Sequence, residues 1–274
     1  MKIPNSFRRT FSGCTAIVTG GSSGIGRALC KWLIASGAHV HALDYMPEGL
    51  ELLESESSGP GTVQSHILDV TDADAYAAVV KRIQSLEKPI DFLFNNAGVT
   101  LLGEAHKVPF ERWKWLLDIN LMGVVHGIHH VYPVMIQQGF GHIINTSSIA
   151  SGTGYATACA YTASKAAVFE LTRSLAAEAK IHGVLVSVAC PGYVNSSIFQ
   201  QDRIMGVDRE TMIRDLPVKM LTTDQAAHGF LLGVVRRKKR IIFPFTARFL
   251  WELGNWVPSL IAPFHKRFMR VFQN

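Results

Sequence analysis

Short apolar runs rich in β-branched residues alternate along this chain with longer segments in which apolar residues recur at helical spacing. The short runs predict β-strands and the longer segments predict helices. Strands are predicted at 15–20, 39–44, 63–70, 91–98, 141–148 and 184–192 and within 237–244, and helices at 24–37, 72–87, 109–138 (one helix or a pair) and 158–182. Strands that alternate with helices form parallel βαβ units. We therefore expect an α/β fold with a Rossmann-like, doubly wound parallel sheet of about seven strands and helices on both faces.

The same pattern predicts one domain followed by a tail. Residues 1–245 contain no internal repeat and no low-complexity linker, and we expect the cofactor and substrate sites to lie together within them. Residues 246–274 are basic and rich in aromatic side chains, which predicts an amphipathic helical tail at the C-terminus.

The net charge of +6 is concentrated near the C-terminus. Residues 236–274 hold nine Lys/Arg and one acidic residue, whereas the remaining 235 residues hold 18 Lys/Arg and 20 acidic residues. The body therefore lacks the basic surface that is typical of nucleic-acid binding, and no nucleic-acid partner is expected.

The cysteines are few and far apart. Cys14, Cys30, Cys159 and Cys190 form no Cys-x-x-Cys pair, which argues against a disulfide framework and a metal site and favours a reducing compartment. The first residues lack the apolar core of a signal peptide, and no stretch of about 18 uninterrupted apolar residues predicts a spanning helix. These features lead us to expect a cytoplasmic protein.

A glycine-rich turn, TGGSSGIG at 19–26, joins the first predicted strand to the first predicted helix. Gly20, Gly24 and Gly26 permit a tight turn and a close approach of the backbone to a pyrophosphate, which the free N–H groups of the helix N-terminus would bind. No Lys-Ser/Thr pair follows, so a phosphoryl-transfer loop is not expected, and a turn without a ligand is the competing interpretation. The predicted cofactor contacts in this turn are Gly20, Ser22, Ser23, Gly24, Ile25 and Gly26.

An acidic residue ends the second predicted strand. Asp44 follows the glycine turn by about 20 residues, where a carboxylate can accept hydrogen bonds from the adenosine ribose. A 2′-phosphate would be repelled there, so NAD(H) is the expected cofactor and NADP(H) is disfavoured. The alternative is that Asp44 only begins a turn before Met46 and Pro47.

A tyrosine and a lysine share one face of the helix predicted at 158–182. Tyr161 and Lys165 are four residues apart, and an ammonium near a phenol favours the phenolate. Such a phenol can exchange a proton with an alcohol or carbonyl, and Ser148 at the end of the fifth predicted strand could donate to the same substrate oxygen.

Taken in order, these segments resemble the motifs of the short-chain dehydrogenase/reductase family. TGGSSGIG is similar to its TGxxxGxG turn, NNAG (95–98) to its fourth-strand motif, Ser148 with YTASK (161–165) to its active site, and PGYVNSS (191–197) to the segment that bounds its nicotinamide site. The resemblance covers roughly residues 12–244.

The resemblance implies roles for particular residues. Tyr161 would be the general acid/base, Lys165 would lower its pKa and bind the nicotinamide ribose, and Ser148 would position the substrate oxygen. Asn120, in LLDINLMG, would hold a water that links Lys165 to solvent, although from the residues alone it could be an ordinary helix residue. The resemblance also implies a homodimer or homotetramer.

Further cofactor contacts are implied by the same resemblance. Asp69 and Val70 would flank the adenine, Asn95 would lie at the turn beside the cofactor, and Ser196 keeps a hydroxyl where the family often has threonine. From the residues alone, Asp69 could simply neighbour the N-cap of the helix near Asp72. The implied contacts are Asp69, Val70, Asn96, Ala97, Gly98, Tyr161, Lys165, Pro191, Gly192, Val194 and Ser196.

Apolar residues occupy the segments where a substrate pocket is expected. They lie in 193–217, after the sixth predicted strand, and in 99–102, after the fourth. An apolar secondary alcohol or ketone, such as a steroid-like, retinoid-like or lipid-like molecule, is the expected substrate. The alternatives are an NADPH-dependent 3-oxoacyl thioester reductase and a dinucleotide-binding sensor or scaffold without turnover. The same apolar residues could instead only pack residues 193–217, which would form a lid over the site, on the body of the domain.

The tail departs from a minimal member of such a family. Phe249, Leu253 and Trp256 fall on one helical stripe, and Phe264, Phe268 and Phe272 form a second. A basic, aromatic, amphipathic helix is typical of peripheral contact with a membrane surface. An arm that contacts a partner subunit and a flap over the substrate pocket are the competing interpretations.

Overall fold

The computed structural model describes residues 2–214 and 220–257, together with 259, 266, 269–270 and 272. In this part of the chain, strands and helices alternate as the sequence pattern predicts. The strands are β1 (Thr15–Thr19), β2 (His39–Asp44), β3 (Thr62–Ile67), β4 (Phe92–Asn95), β5 (Gly141–Thr146), β6 (Val184–Pro191) and β7 (Arg240–Phe243). The helices are α1 (Asn5–Phe11), α2 (Gly24–Ala35), α3 (Pro47–Glu56), α4 (Ala73–Gln84), α5 (Phe110–Leu117), α6 (Gly123–Gln138), α7 (Ala150–Thr153), α8 (Cys159–Ala179), α9 (Arg209–Arg214), α10 (Thr223–Val235) and α11 (Phe245–Trp256).

The strands form one parallel, seven-stranded sheet in the order β3-β2-β1-β4-β5-β6-β7. The predicted doubly wound, Rossmann-like fold is confirmed. Every residue of β1 and β4 is buried, as expected for central strands that helices cover on both faces. The strand order reverses between β1 and β4, and ligands of such sheets bind at the carboxyl ends of the strands beside that point.

Two apolar layers hold the helices to the sheet. Helices α1, α2 and α10 pack on one face, in a cluster that includes Phe7, Leu33 and Phe230. Helices α4, α6 and α8 pack on the other face, in a cluster that includes Tyr76 and Val131. Both layers leave the carboxyl ends of the strands free for the loops that carry the candidate site.

Several predicted boundaries are wrong. The third strand ends at Ile67 rather than at residue 70, because Leu68 and Val70 are buried in the loop after it and extend the apolar pattern past the strand. Of the two predictions for 109–138, the helix pair is confirmed: α5 and α6 are joined by a π-helical turn, Asp118–Met122. The sequence pattern did not predict the helices α1, α3, α7, α9 and α10.

The C-terminal tail begins with a helix that packs on the body. In α11 the side chains of Ala247 and Trp251 are buried, whereas Phe249 and Trp256 are exposed. The predicted boundary between 245 and 246 falls within the first turn of this helix and stays a prediction. Of the second predicted stripe, Phe272 is described, while residues 264 and 268 lie outside the described residues.

No helix in the part of the chain that the structure describes has both the length and the apolar character needed to cross a bilayer.

Candidate active site

The glycine turn lies between β1 and α2, beside the point where the strand order reverses. Gly20 and Gly24 have φ angles of +72° and +54°, which glycine adopts without strain. A Cβ at Gly26 would lie 1.9 Å from the carbonyl oxygen of Gly20, so only glycine allows this close packing of helix on turn. Ser23 precedes α2 without capping it through its side chain, which leaves the first N–H groups of the helix available to an anion.

Asp44 connects the end of β2 to this turn. Its carboxylate accepts hydrogen bonds from the N–H of Ser22 at 3.1 Å and from the N–H of Met46 at 3.1 Å. The side chain is only 6% exposed, yet each carboxylate oxygen keeps a lone pair for another donor. Asp44 thus places a negative charge directly beside the glycine turn.

The NNAG turn after β4 is held by a threonine of β1. The hydroxyl oxygen of Thr19 accepts from the N–H of Asn96 at 2.9 Å and from the N–H of Ala97 at 3.0 Å. The side chain of Asn96 in turn donates to the carbonyl of Thr19 at 3.1 Å. These bonds fix the two cofactor-facing turns relative to each other.

The first residue of that motif is bonded to the neighbouring strand β5. Asn95 is buried and donates to the side chain of Asn145 in β5 at 2.8 Å. Its side chain therefore joins two strands, and the implied place of Asn95 beside the cofactor stays a prediction.

Asn120 lies in the π-helical turn and is fully buried. Its side-chain amide donates to the carbonyl of Val99 at 2.9 Å and to the hydroxyl of Ser164 at 3.1 Å, and its oxygen accepts from the N–H of Val99 at 2.8 Å. A Cβ at Gly98 would lie 3.0 Å from that oxygen and 3.2 Å from the Lys165 ammonium. Gly98 therefore keeps open the space in front of Asn120 and Lys165.

Ser148, Tyr161 and Lys165 converge beyond the end of β5. Ser148 and Tyr161 are joined by a side-chain hydrogen bond that opposes the rise in the pKa of the phenol. The Lys165 ammonium lies 5.9 Å from the centroid of the Tyr161 ring and donates to the carbonyl of Thr146 at 3.0 Å. The backbone of Lys165 is itself held, because its carbonyl accepts from the hydroxyl of Ser147 at 2.6 Å.

Burial dominates the titration of both helix residues. Loss of hydration lowers the pKa of Lys165 to about 8, since the ammonium lies inside the protein. The same cause raises the pKa of Tyr161 above the ordinary value for tyrosine, against the smaller effect of Ser148. Without a cofactor, the phenol of Tyr161 is therefore neutral at physiological pH.

The PGYVNSS segment closes the site from above. Pro191 ends β6, and the segment then passes over the glycine turn, where a Cβ at Gly24 would lie 3.5 Å from the Cβ of Ser196. Val194 forms an isolated bridge with Leu221, which ties the segment to the chain after the lid. Gly192 and Ser196 both line the cavity described next.

An apolar cavity of about 110 Å³ opens in front of Ser148 and Tyr161. Its wall joins the glycine turn, the segments after β4 and β5, the start of α8 and the lid. The lining residues are Ile25, Thr100, Leu102, Ser148, Ile149, Ala150, Tyr155, Ala158, Tyr161, Pro191, Gly192, Tyr193, Val194, Ser196, Ile198, Phe199 and Met212. Polar groups are few, and two of them are the hydroxyls of the candidate catalytic residues.

The end of the chain reaches the outer side of this wall. Phe272 is 4% exposed and packs in a cluster with Leu102, Ala158, Ile204 and Met212. Three of these residues also line the cavity. The described part of the tail thus includes both a helix on the body and an aromatic residue behind the substrate pocket.

The implied adenine contacts lie on the other side of the glycine turn, after β3. Asp69 is exposed, and its carboxylate accepts from the N–H and the hydroxyl of Thr71. Asp72, not Asp69, caps α4 by accepting from the N–H of Ala75. Val70 is buried, and its carbonyl lies 2.8 Å from Nδ1 of His126.

A family model described as short chain dehydrogenase matches residues 14–205. The chain belongs to the short-chain dehydrogenase family. The dehydrogenase is 32% identical over 250 residues to an uncharacterized oxidoreductase of Myxococcus xanthus, a match that covers 90% of this chain and 91% of that protein. It is 33% identical over 207 residues to the 3-oxoacyl-[acyl-carrier-protein] reductase FabG of Thermotoga maritima, covering 75% of this chain and 83% of that protein.

The fold of the dehydrogenase is also similar to solved structures. A short chain dehydrogenase/reductase from Burkholderia phymatum, solved in complex with NAD, matches it with a TM-score of 0.79 at 24% identity, covering 89% of this chain and 93% of that one. The dehydrogenase is thus an oxidoreductase of a family that binds NAD(P).

The residues of the dehydrogenase fit a dinucleotide. The uncapped start of α2 offers N–H groups to phosphate, Asp44 offers an acceptor to a hydroxyl, and the missing side chain at Gly98 leaves space beside Lys165. Asp44 ends β2, α2 follows β1 and Gly98 follows β4, so these features lie beyond the ends of three neighbouring strands, with the start of α2 between the other two.

Sequence reasoning missed residues that shape this site. Thr19 stands inside the quoted glycine motif, but its bonds to the NNAG turn are visible only in three dimensions. Tyr155 precedes Tyr161 by six residues and contacts the ring of Tyr193, with their centroids 5.9 Å apart. A tyrosine next to a predicted catalytic helix was the signal that could have pointed to Tyr155.

Proposed function

We propose that the dehydrogenase transfers a hydride reversibly between NAD(H) and a secondary alcohol or ketone of an apolar substrate. One observation carries this proposal: the paired hydroxyls of Ser148 and Tyr161 face an apolar cavity, with the buried ammonium of Lys165 behind them. A substrate oxygen that accepts from Ser148 would lie within reach of Tyr161 as well.

Residues of the chain itself transfer the proton. In oxidation of an alcohol, the phenolate of Tyr161 accepts the hydroxyl proton, and in reduction of a ketone the phenol donates it. Ser148 donates a hydrogen bond to the same oxygen and orients it. When bound, the nicotinamide supplies the hydride chemistry, and Lys165 is positioned to bind its ribose.

Lys165 is suited to support Tyr161 because it is held in place and buried. Its ammonium donates to Thr146 and lies near the phenol ring, so its charge acts on Tyr161 through a medium of low polarity. This charge favours the phenolate and opposes the effect of burial.

The position of Asp44 supports NAD(H) over NADP(H). A 2′-phosphate placed beside this carboxylate would meet like charge, whereas the ribose hydroxyls of NAD would find an acceptor. The two basic residues of α2, Arg27 and Lys31, both contact Glu56, so neither is free to neutralise a 2′-phosphate.

The lining of the cavity supports an apolar substrate. Leu102, Ile149, Ile198, Phe199 and Met212 are among its apolar lining residues. No charged side chain lines the cavity among the described residues, which favours steroid-like, retinoid-like or lipid-like alcohols over charged ones.

The reductase from Thermotoga maritima supports a second candidate, reduction of a 3-oxoacyl thioester with NADPH. The carboxylate of Asp44 weighs against it. A sensor or scaffold that binds dinucleotide without turnover is disfavoured, because such a protein would not need Ser148, Tyr161 and Lys165 together.

We further propose that the dehydrogenase works in the cytoplasm as a homodimer or homotetramer. The family resemblance supports the oligomer, and the spacing of the cysteines supports a reducing compartment.

The test is turnover of a panel of secondary alcohols with NAD⁺, followed by nicotinamide absorbance. The panel runs from short to long alkyl chains and includes cyclic alcohols, with 3-hydroxyacyl thioesters and NADP⁺ as a second arm. We expect the apolar alcohols with NAD⁺ to give the highest kcat/KM. Preference for thioesters with NADP⁺ would favour the second candidate, and no turnover in either arm would overturn the proposal.

A further inference from the structure

Helix α11 has an outward face of large aromatic side chains. Phe245, Phe249 and Trp256 are separated by four and seven residues, so they lie along one side of the helix. Their side chains are 81%, 59% and 81% exposed, in a chain whose other large apolar residues are mostly buried. We call these three residues the aromatic face of α11.

The opposite side of α11 fixes the orientation of this face. Ala247 and Trp251 are buried in a cluster with Ile149, Phe169 and Cys190. The ring of Trp251 lies 5.5 Å from that of Phe169, measured between centroids. The aromatic face is therefore held outward by packing, and it is not a loose helix that could turn inward.

The segment before α11 and the helix itself carry positive charge. Residues 236–240, of sequence RRKKR, are all exposed, and Arg240 lies over the ring of Trp251 at 5.6 Å, on the side of α11 that packs on the body. Arg248 is exposed on α11 itself. Glu252, on the same side as the aromatic face, is the one acidic residue in the sequence from 236 to 274, against nine Lys/Arg.

We propose that α11 binds the surface of an anionic lipid bilayer through its aromatic face. Aromatic side chains partition into the interfacial layer, and flanking Lys and Arg residues are attracted to anionic head groups. Two copies of this surface would bring like charges together, whereas an anionic bilayer complements both features. The charge therefore favours lipid over a second copy of the chain as the occupant.

When bound to the bilayer, α11 would lie beside the substrate cavity. A Cβ at Gly192, which lines the cavity, would lie 2.9 Å from the Cβ of Ala247 in α11. An apolar alcohol dissolved in the bilayer would then have a short path to Tyr161. This consequence rests on the proposed function, whereas binding to the bilayer does not.

The test is co-sedimentation of the full chain with vesicles of phosphatidylglycerol and, separately, of phosphatidylcholine. We expect binding to phosphatidylglycerol vesicles at low salt and at least tenfold weaker binding to phosphatidylcholine. Replacing the aromatic face, as Phe245→Ser, Phe249→Ser and Trp256→Ser together, should weaken binding at least tenfold. The matched control is Phe110→Ser, which removes a 77% exposed phenylalanine from α5 and should leave binding unchanged.

A charge variant, Lys238→Gln with Lys239→Gln, separates the contribution of the basic residues to vesicle binding from that of the aromatic face. Each lost charge should weaken binding to phosphatidylglycerol about fivefold at low salt. All variants should keep the thermal unfolding midpoint of the parent, since every replaced side chain is exposed.

Three results would overturn the proposal. One is equal binding of the parent and the triple variant to phosphatidylglycerol vesicles, and another is no binding by the parent. The third is a smaller species in size-exclusion chromatography of the triple variant without lipid, which would assign the aromatic face to a second copy of the chain. Vesicle binding is scored without any alcohol, so its failure is distinct from a failure of the proposed activity.

Discussion

The ammonium of Lys165 lies 5.9 Å from the centroid of the Tyr161 ring, and it donates its hydrogen bond to the carbonyl of Thr146 rather than to the phenol. We therefore expect Lys165 to act on Tyr161 through its charge. In the protein without cofactor, burial raises the pKa of Tyr161, and the hydrogen bond with Ser148 opposes this rise. If the proposed mechanism holds, we expect activation of the phenol for oxidation to need the positively charged nicotinamide in addition to Lys165.

Replacing the phenol with a phenyl ring tests the acid/base role. Tyr161→Phe should lower kcat by about 10²–10⁴-fold, because the group that exchanges the proton is lost. Affinity for NADH, measured by nicotinamide fluorescence, should stay within about twofold, since the ring still fills its place. Retained turnover in Tyr161→Phe would assign the proton to another group.

The pH dependence of stability tests the burial of Lys165. The pKa of this lysine is about 8 in the folded protein and 10.5 in its ordinary state. Between these values the unfolded chain binds a proton that the folded protein does not, so the free energy of unfolding rises with pH through this group. Below pH 8 both states are protonated, and the group gives no pH dependence.

The measurement compares the wild type with Lys165→Met in urea unfolding from pH 7 to pH 10. The wild type should gain stability relative to the variant above about pH 8, by at most about 1.4 kcal/mol per pH unit. A difference that stays constant, or that falls with rising pH, would contradict the buried ammonium.

Thr19 offers a test of the link between the two cofactor turns. Thr19→Val leaves the N–H groups of Asn96 and Ala97 without their acceptor, which should cost about 2 kcal/mol in the free energy of unfolding. NADH affinity should fall as well, because the NNAG turn loosens. The control Thr19→Ser keeps the hydroxyl and should behave like the parent in both measurements.

Asp44 is the residue that should set the choice of cofactor. Asp44→Ala should weaken NADH binding by about tenfold to a hundredfold, the range for a lost hydrogen bond to a charged group. Asp44→Asn keeps the acceptor oxygen and removes the charge, so it should relieve most of the penalty against NADPH while retaining NADH. Fluorescence titration of the parent and both variants with each nucleotide measures this, and a parent that prefers NADPH would refute the assignment.

Local spacing was sufficient to predict the sheet and the shared helix face of two candidate site residues, whose catalytic roles stay predictions. Alternating strands and helices imply the parallel sheet, and a four-residue spacing places Tyr161 and Lys165 on one face of α8. The glycine turn and Asp44 were predicted for the same reason, since each sits at the end of a strand. The end of β3 was predicted wrongly, because the buried Leu68 and Val70 extend the apolar pattern past the strand.

The features that could not be predicted depend on contacts between distant residues. Thr19 reaches the NNAG turn across 77 residues of sequence, and no periodic signal records that contact. Phe272 packs behind Leu102, whereas the sequence left a membrane surface, a partner subunit and the substrate pocket open as partners of its aromatic stripe. The short helix α3 escaped prediction because only Leu50 and Leu53 are buried in it, so its apolar pattern is weak.

The most direct measurement follows the hydride itself. The dehydrogenase and its Tyr161→Phe variant would each be incubated with NADH that carries deuterium at both positions of nicotinamide C4 and with an apolar ketone that the parent reduces. We predict that the parent transfers deuterium to the carbinol carbon of the product alcohol and that the variant transfers at least about a hundredfold less. An alcohol product without deuterium, or equal transfer by both proteins, would contradict hydride transfer to the ketone with Tyr161 as the proton donor.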